Sequence, residues 1–327
     1  MLPLLLGLAL AAQQPEVRIR TTVPLVLVPT TVTDADGNPY AGLESGDFEL
    51  YDGSSRVKHE IEVTNQPLSV VLCVQTNRQS GPALAKVMKI GSLMLPLVAG
   101  EGGAVALLAY SDRLALRQEF TADQTVFTDA IRSLRPGGSG ARMLDAVDQA
   151  LHLLDQRGGR SRKVIIVTGE TRDRGSETKL AQVIEAAARS NVTIYSVSFS
   201  VYLTAFTSRG DERFGKKREE DHEDTRPRVY EPGGGSLITA LVELSRLGQA
   251  NTADALAKAT GGARFSFLRL KALEEMFLKV GEDLHNQYLL SFAPPSGAPG
   301  YHDLRVVVKG HPGLTVRARP GYWAPGQ

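Results

Sequence analysis

A single cysteine, Cys73, stands among 327 residues, so no intrachain disulfide can brace this fold. It sits within VVLCV, which supplies neither exposure nor a neighbouring base, so Cys73 reads as a core thiol and not a nucleophile. Charge excess is missing too: a net charge of +1 leaves no electrostatic footprint for nucleic acid or an anionic membrane. The six histidines (His59, His152, His222, His285, His302 and His311) are scattered, with no pair at zinc spacing. No Gly-x-x-x-x-Gly-Lys occurs, and no Gly-x-Gly-x-x-Gly follows a strand, so the common phosphate-cradling loops are excluded. Beyond the first dozen residues no apolar run approaches the length of a membrane span. What is present is ordinary for a globular protein with a real core: 42% hydrophobic and 22% charged residues.

The first twelve residues, MLPLLLGLALAA, form an apolar run ending in small residues, the pattern of a signal-peptide core and cleavage site without its basic start. Residues 1–14 are therefore expected to be a leader that directs export to the periplasm, the cell surface or the medium. Residues 15–66 read as an all-β segment: VPLVLVPTTVTD runs into the turn ADGNP, and DFELYDGSSRVKHEIEV reads as strands around Asp-Gly.

From residue 67 to 287 the pattern alternates strand and helix. The runs VVLCV, VALLA, VIIV and IYSVSF lack polar alternation, as strands covered on both faces do. Such alternation predicts a doubly wound, mostly parallel sheet. AVALLAY and LALRQEF, joined by Ser-Asp-Arg, are expected to form a hairpin, and RPGGSG breaks two helices apart. The helix ETKLAQVIEAAARSN closes on Asn191, and TADALAKATGG is bounded by Thr252 as N-cap and Gly261 as C-cap. Residues 207–236 mix both charge signs with almost no aliphatic side chain and are expected to be a mobile surface loop. Their Arg209-Gly210-Asp211 spells an integrin-recognition tripeptide, a match too short to carry a reading. Residues 288–327 supply three more strands (in QYLLSFAPP, HDLRVVVKG and LTVRARPGYW), expected to pair with 15–66 in a small β-sandwich into which the α/β domain is inserted.

In an open parallel sheet the ligand crevice lies beyond the carboxyl ends of the central strands. Here those ends offer Gln75, Asn77, Gln79 and Gly169, where a divalent cation would require carboxylate and hydroxyl oxygens. Catalytic alternatives are thin. GGSGA sets Ser139 between glycines, but no strand precedes it as a nucleophile elbow requires. Asp145 and Asp148, three apart on one helix, are explained as a solvated face or as charge favoured by the helix dipole. The expectation is no enzyme activity, with a hydrolase built on the Ser139 loop as the alternative.

The element order from Leu68 to about Gln287 resembles a von Willebrand factor type A domain. GGSGARMLDAVDQAL resembles that family's Gly-Gly-Thr turn into a helix, and LAKATGGARFSF its last helix and strand. The flanks TVTDADGNPYAGLESGDFELYDGSS, YLLSFAPP and LTVRARPGYWAP resemble bacterial von Willebrand factor A-related proteins, described mainly from acidobacteria. The resemblance implies an adhesion site on top of the sheet that holds a metal ion. Carried over, its Asp-x-Ser-x-Ser falls on Gln75, Asn77 and Gln79, its threonine on Ala141 or Ser139, and its aspartate on Gly169, with Glu170 one residue late. These departures imply a degenerate site without metal or other cofactor, Glu170 and Asp173 being the carboxylates able to rescue weak binding. What remains is a polar rim of Gln75, Thr76, Asn77, Arg78, Gln79, Ser139, Ala141, Gly169 and Glu170 for an unidentified protein partner. Arg78 can meet a partner carboxylate directly. The function expected is adhesion or envelope-complex scaffolding, or a structural accessory role without a ligand.

Overall fold

The computed structural model describes residues 25–61, 66–159, 161–199, 251–267, 272–295 and 299–324. The leader and the charged stretch 207–236 with its Arg-Gly-Asp lie outside the described residues.

The N-terminal segment contributes strands β1 (Val26–Thr33), β2 (Phe48–Asp52), β3 (Ser55–Val57) and β4 (Glu60–Ile61). Then follow β5 (Leu68–Gln75), α1 (Gly81–Ala99), β6 (Ala104–Tyr110), β7 (Leu114–Thr121), α2 (Gln124–Arg132), α3 (Met143–Arg157), β8 (Arg162–Gly169), α4 (Leu180–Arg189) and β9 (Thr193–Phe199). After the undescribed stretch come α5 (Thr252–Thr260), β10 (Arg264–Phe267) and α6 (Leu273–His285). Strands β11 (Tyr288–Phe292), β12 (Gly300–Val308), β13 (Thr315–Ala318) and β14 (Gly321–Ala324) end the chain.

Six of these strands form the central sheet in the order β10-β9-β8-β5-β6-β7, parallel throughout except for the β6–β7 hairpin. Every residue of β5 is buried, and its side chains divide between two cores. Leu68, Val70, Leu72 and Val74 join α1, α2 and α6 on one face; Val71 and Cys73 join α3, α4 and α5 on the other. Two buried faces remove any reason for polar alternation, which is why these strands read as continuous apolar runs. The exposed edge strand β7 carries Arg117 and Glu119, charges that discourage edge-to-edge pairing.

Two four-stranded antiparallel sheets, β13-β1-β11-β4 and β14-β12-β2-β3, flank this unit and enclose a third core around Val28, Phe48, Leu50, Leu290, Phe292 and Tyr322. The two ends of the chain meet in both: Val28 pairs with Leu290, and Leu50 with Val306.

Four elements depart from the sequence reading. The last β segment is two strands and not one: Pro320, which has no N–H to donate, separates β13 from β14, and they enter different sheets. Helix α4 starts at Leu180, not Glu177, because the Glu177 and Thr178 amides turn onto Asp145. The N-cap of α5 is Asn251, whose side chain accepts from Asp254 N–H; the Thr252 hydroxyl accepts instead from Asp173 N–H. Gly261 does close that helix, in the left-handed conformation. Finally, α1 with its preceding turn is long and apolar enough to cross a membrane by length and composition, although no such run was expected; half of it is buried within the fold.

A polar seam joins the flanking sheets to the central one. Arg317 of β13 donates to Asp283 of α6 at 2.5 Å, to the Thr31 hydroxyl of β1 at 2.9 Å and to the Gly261 carbonyl at 2.5 Å. Tyr195 of β9 donates to the other Asp283 oxygen at 2.5 Å, and Gln287 donates to both Tyr195 and Thr31 at 3.1 Å. On the outer side the Arg189 guanidinium lies 3.8 Å over the Trp323 ring.

Candidate functional site

The carboxyl ends of β5, β6 and β8 open into a crown of three loops. Thr76 N–H donates to the Tyr110 carbonyl at 2.8 Å, Gly137 N–H to the Thr76 carbonyl at 2.6 Å, and Arg78 N–H to the Gly138 carbonyl at 3.1 Å. Asp112 fastens the glycine-rich loop from the opposite side, its Oδ1 accepting from Ser139 N–H at 2.7 Å and from Gly140 N–H. Side chains at Gly138 and Gly140 would crowd that carboxylate, which is why the breaker is glycine-rich. The Gly140 and Ser139 amides hold Asp112 below the usual carboxylate range. Ala141 and Arg174 exchange backbone hydrogen bonds of 3.0 and 2.9 Å, tying this loop to the one after β8.

Strand-end side chains turn inward. Gln75, Thr76 and Asn77 are buried, as are Ala141 and Gly169, so the rim read from the sequence contracts to Arg78, Gln79, Ser139 and the part-buried Glu170. The Gln75 amide faces Glu170 with both ends: Oε1 accepts from Glu170 N–H at 2.8 Å, and Nε2 donates to Glu170 Oε1 at 3.0 Å. Glu170 Oε1 also accepts from Arg174 at 2.7 Å. Asn77 Oδ1 accepts from Ser80 N–H at 2.9 Å, capping the turn into α1. Its Nδ2 is buried without a hydrogen-bond partner.

Two aspartates that read as helix-face charges, or as spare metal ligands, hold the rest together. Asp173 accepts from Leu144 N–H at 3.0 Å and from the Ser176 hydroxyl at 2.6 Å, capping α3. Asp145 is buried and not solvated, accepting from Arg142 at 2.6 Å, from Thr178 N–H at 2.9 Å and from the Thr178 hydroxyl at 2.7 Å. Burial alone would raise this carboxyl, but the bonds from Thr178, Arg142 and Glu177 overcome that and hold it at about 2. Arg142 also reaches Glu177 at 3.2 Å. Asp112, Arg142, Arg174 and Glu177 were missed in the sequence; only the fold brings them to one place.

These donors do not fit a divalent cation. Magnesium requires hard, anionic oxygens in near-octahedral array. Gln75 Oε1 and Asn77 Oδ1 already accept from backbone amides, and the remaining Asn77 atom is an N–H donor that repels a cation. Glu170 is paired with Arg174. Gly169 has no room for a carboxylate: a Cβ there would lie 2.5 Å from Gln75 Oε1 and against the Tyr110 hydroxyl. Among the described residues no group of three or more His, Cys, Asp or Glu is placed to share an ion.

The described histidines are engaged away from the Ser139 loop, whose neighbouring carboxylate, Asp112, is held by the loop's own amides. His59 bonds the Ser45 carbonyl, His152 the Asp148 carbonyl, and His285 the Leu97 carbonyl, while His302 and His311 face Asp52 and Asp47. His222 lies outside the described residues. Cys73 is fully buried, and burial pushes its thiol well up, away from thiolate chemistry.

The family model described as von Willebrand factor type A domain matches residues 86–220. Among solved structures, a von Willebrand factor type A protein from Catenulispora acidiphila is similar over 90% of this chain and 73% of its own, at 12% identity and TM-score 0.46. BatB from Bacteroides thetaiotaomicron, described as a conserved hypothetical protein, is similar over 66% of this chain and 99% of its own, at 14% identity and TM-score 0.41. Three N-terminal domains of the type V pili tip protein Mfa5 from Porphyromonas gingivalis share 18% identity over 47% of this chain, at TM-score 0.30. This chain spans 28% of that one. No curated protein matches.

Proposed function

We propose that this chain, which carries a von Willebrand factor type A domain, is a non-catalytic protein-interaction module that grips an acidic group of its partner with arginine, no metal ion intervening. One observation carries the reading. The crown's carboxylates Asp112, Asp145, Glu170 and Asp173 all point into the protein's own donors. The exposed Arg78 guanidinium makes no hydrogen bond or ion pair among the described residues. A guanidinium offers a planar fork that matches a carboxylate, so it can stand where a cation would otherwise bridge two acidic groups. Gln79 and Ser139 flank it as exposed polar neighbours. The leader-like start MLPLLLGLALAA supports a place outside the cytoplasm, in adhesion or in assembling an envelope complex.

Affinity capture from an envelope extract of the source organism tests this, comparing the parent with Arg78→Glu in EDTA and in Mg²⁺. The expected result is a partner retained in EDTA and lost with Arg78→Glu. Capture that requires Mg²⁺, or that ignores Arg78→Glu, rejects the reading.

A further inference from the structure

A cleft of about 180 Å³ lies at the end of the central sheet opposite the crown, where the leading ends of β8 and β9 meet β1 and β11. Arg162, Lys163, Ser161, Ser190 and Asn191 supply its polar wall, and Leu27, Pro29 and Leu289 the apolar one.

Two guanidiniums near it, the part-buried Arg162 and the buried Arg319, lack an ion pair among the described residues. Arg162 donates to the Leu284 carbonyl at 3.1 Å and to Gln287, while its Nε is buried without a partner. Arg319, only 3% exposed, donates to Asn191 Oδ1 at 2.6 Å, and its Nε is likewise buried without a partner. Asp283, the buried carboxylate of the seam, is engaged by Arg317 and Tyr195. Asp155 is engaged by Lys163 at 2.7 Å and by the Ser190 hydroxyl at 2.7 Å. Neither Arg162 nor Arg319 therefore has a carboxylate of its own among the described residues. Burial draws both guanidiniums down, Arg319 to about 10; at Arg162 the charges of Tyr195 and Asp283 oppose the shift without reversing it. A buried charge with unmet donors is costly until an anion compensates it.

We propose that this seam cleft binds a small oxyanion or a carboxylate group, held by Arg162, the Asn191 amide and the Ser161 hydroxyl, with Arg319 adding charge from behind Asn191. Arg157 donates to Ser69 Oγ at 2.7 Å, and Ser69 lies 2.7 Å from Ser161. Ser69, accepting from Arg157, can thus donate its O–H to the Ser161 oxygen and leave the Ser161 O–H to donate to the ligand. Size sets the class. With about 30 Å³ per water, the cleft holds roughly six waters, enough for a hydrated sulfate, phosphate or carboxylate but short of a nucleotide. The site lies far from the crown and is independent of what that surface binds.

Isothermal titration of the full chain with sodium sulfate, phosphate or acetate, against sodium chloride of equal ionic strength, tests the proposal. The expected result is one saturable site for at least one anion, weakened about tenfold or more by Arg162→Gln, one charge-assisted contact. Asn191→Gly weakens it several-fold and suits the backbone, since Asn191 has φ +55°. Sulfate or phosphate uptake identifies a free oxyanion; uptake of acetate alone identifies a carboxylate. The proposal is overturned by heats of dilution alone for all three anions, or by affinity that Asn191→Gly and Arg162→Gln leave unchanged. Should Arg162→Gln not fold, Asn191→Gly decides by itself.

Discussion

Arg317 and Asp283 meet at 2.5 Å with side chains 6% and 9% exposed, and through them the C-terminal β segment grips the last helix of the α/β unit. Such a pair contributes through geometry more than through net energy, because desolvation offsets most of its attraction. Asp283→Asn strands a buried guanidinium and is expected to cost about 3–5 kcal/mol in urea unfolding. The double variant Arg317→Met with Asp283→Leu strands no charge and should lose less than either single change. Single variants within half a kcal/mol of the parent would show that the pair does not hold the seam.

Gly169 occupies the place where an aspartate would complete a metal site, against Gln75 and Tyr110. Gly169→Asp is therefore expected to destabilise by about 1–3 kcal/mol through overpacking. Calorimetry should register no uptake of Mg²⁺ by that variant, since Gln75 and Asn77 present no free acceptor. Micromolar Mg²⁺ binding would overturn the reading of the crown.

Acid should loosen the crown in a defined window. Asp145 is held at about 2, below the ordinary 3.8, so the stability it contributes is complete above about pH 4 and drains away as pH falls toward 2. Asp145→Asn should be less stable at neutral pH, on the order of 2 kcal/mol for hydrogen bonds to a charged group, and flatter between pH 4 and 2. Urea midpoints measured along that range check both effects; parallel pH profiles for the two proteins would count against the network.

The thiol of Cys73 packs against the Ala146 carbonyl inside the core, and burial keeps it protonated. A thiol reagent at pH 8 should leave the native protein unlabelled and modify one site per chain in denaturant. Rapid labelling without denaturant would mean that β5 opens locally.

The sequence by itself determined the layer architecture. Runs such as VVLCV and VIIV, apolar at every position, demand cover on both faces, and helices at the intervening positions supply it. It also determined the β6–β7 hairpin, the RPGGSG break, the cap at Gly261 and the return of the C-terminal strands to the N-terminal ones, because each follows from local periodicity, turn chemistry or an edge in need of a partner. Only the tertiary structure decided how the crown is wired. That Gln75 faces Glu170, that Asp145 collects the Thr178 and Glu177 amides, and that Asp112 fastens Ser139 are contacts between residues 27 to 95 positions apart. The same holds for Asn251 taking the cap from Thr252, since the Thr252 hydroxyl meets an amide 79 positions away. A polar side chain at a strand end satisfies local rules whether it faces solvent or turns inward; the partner that the fold delivers settles which.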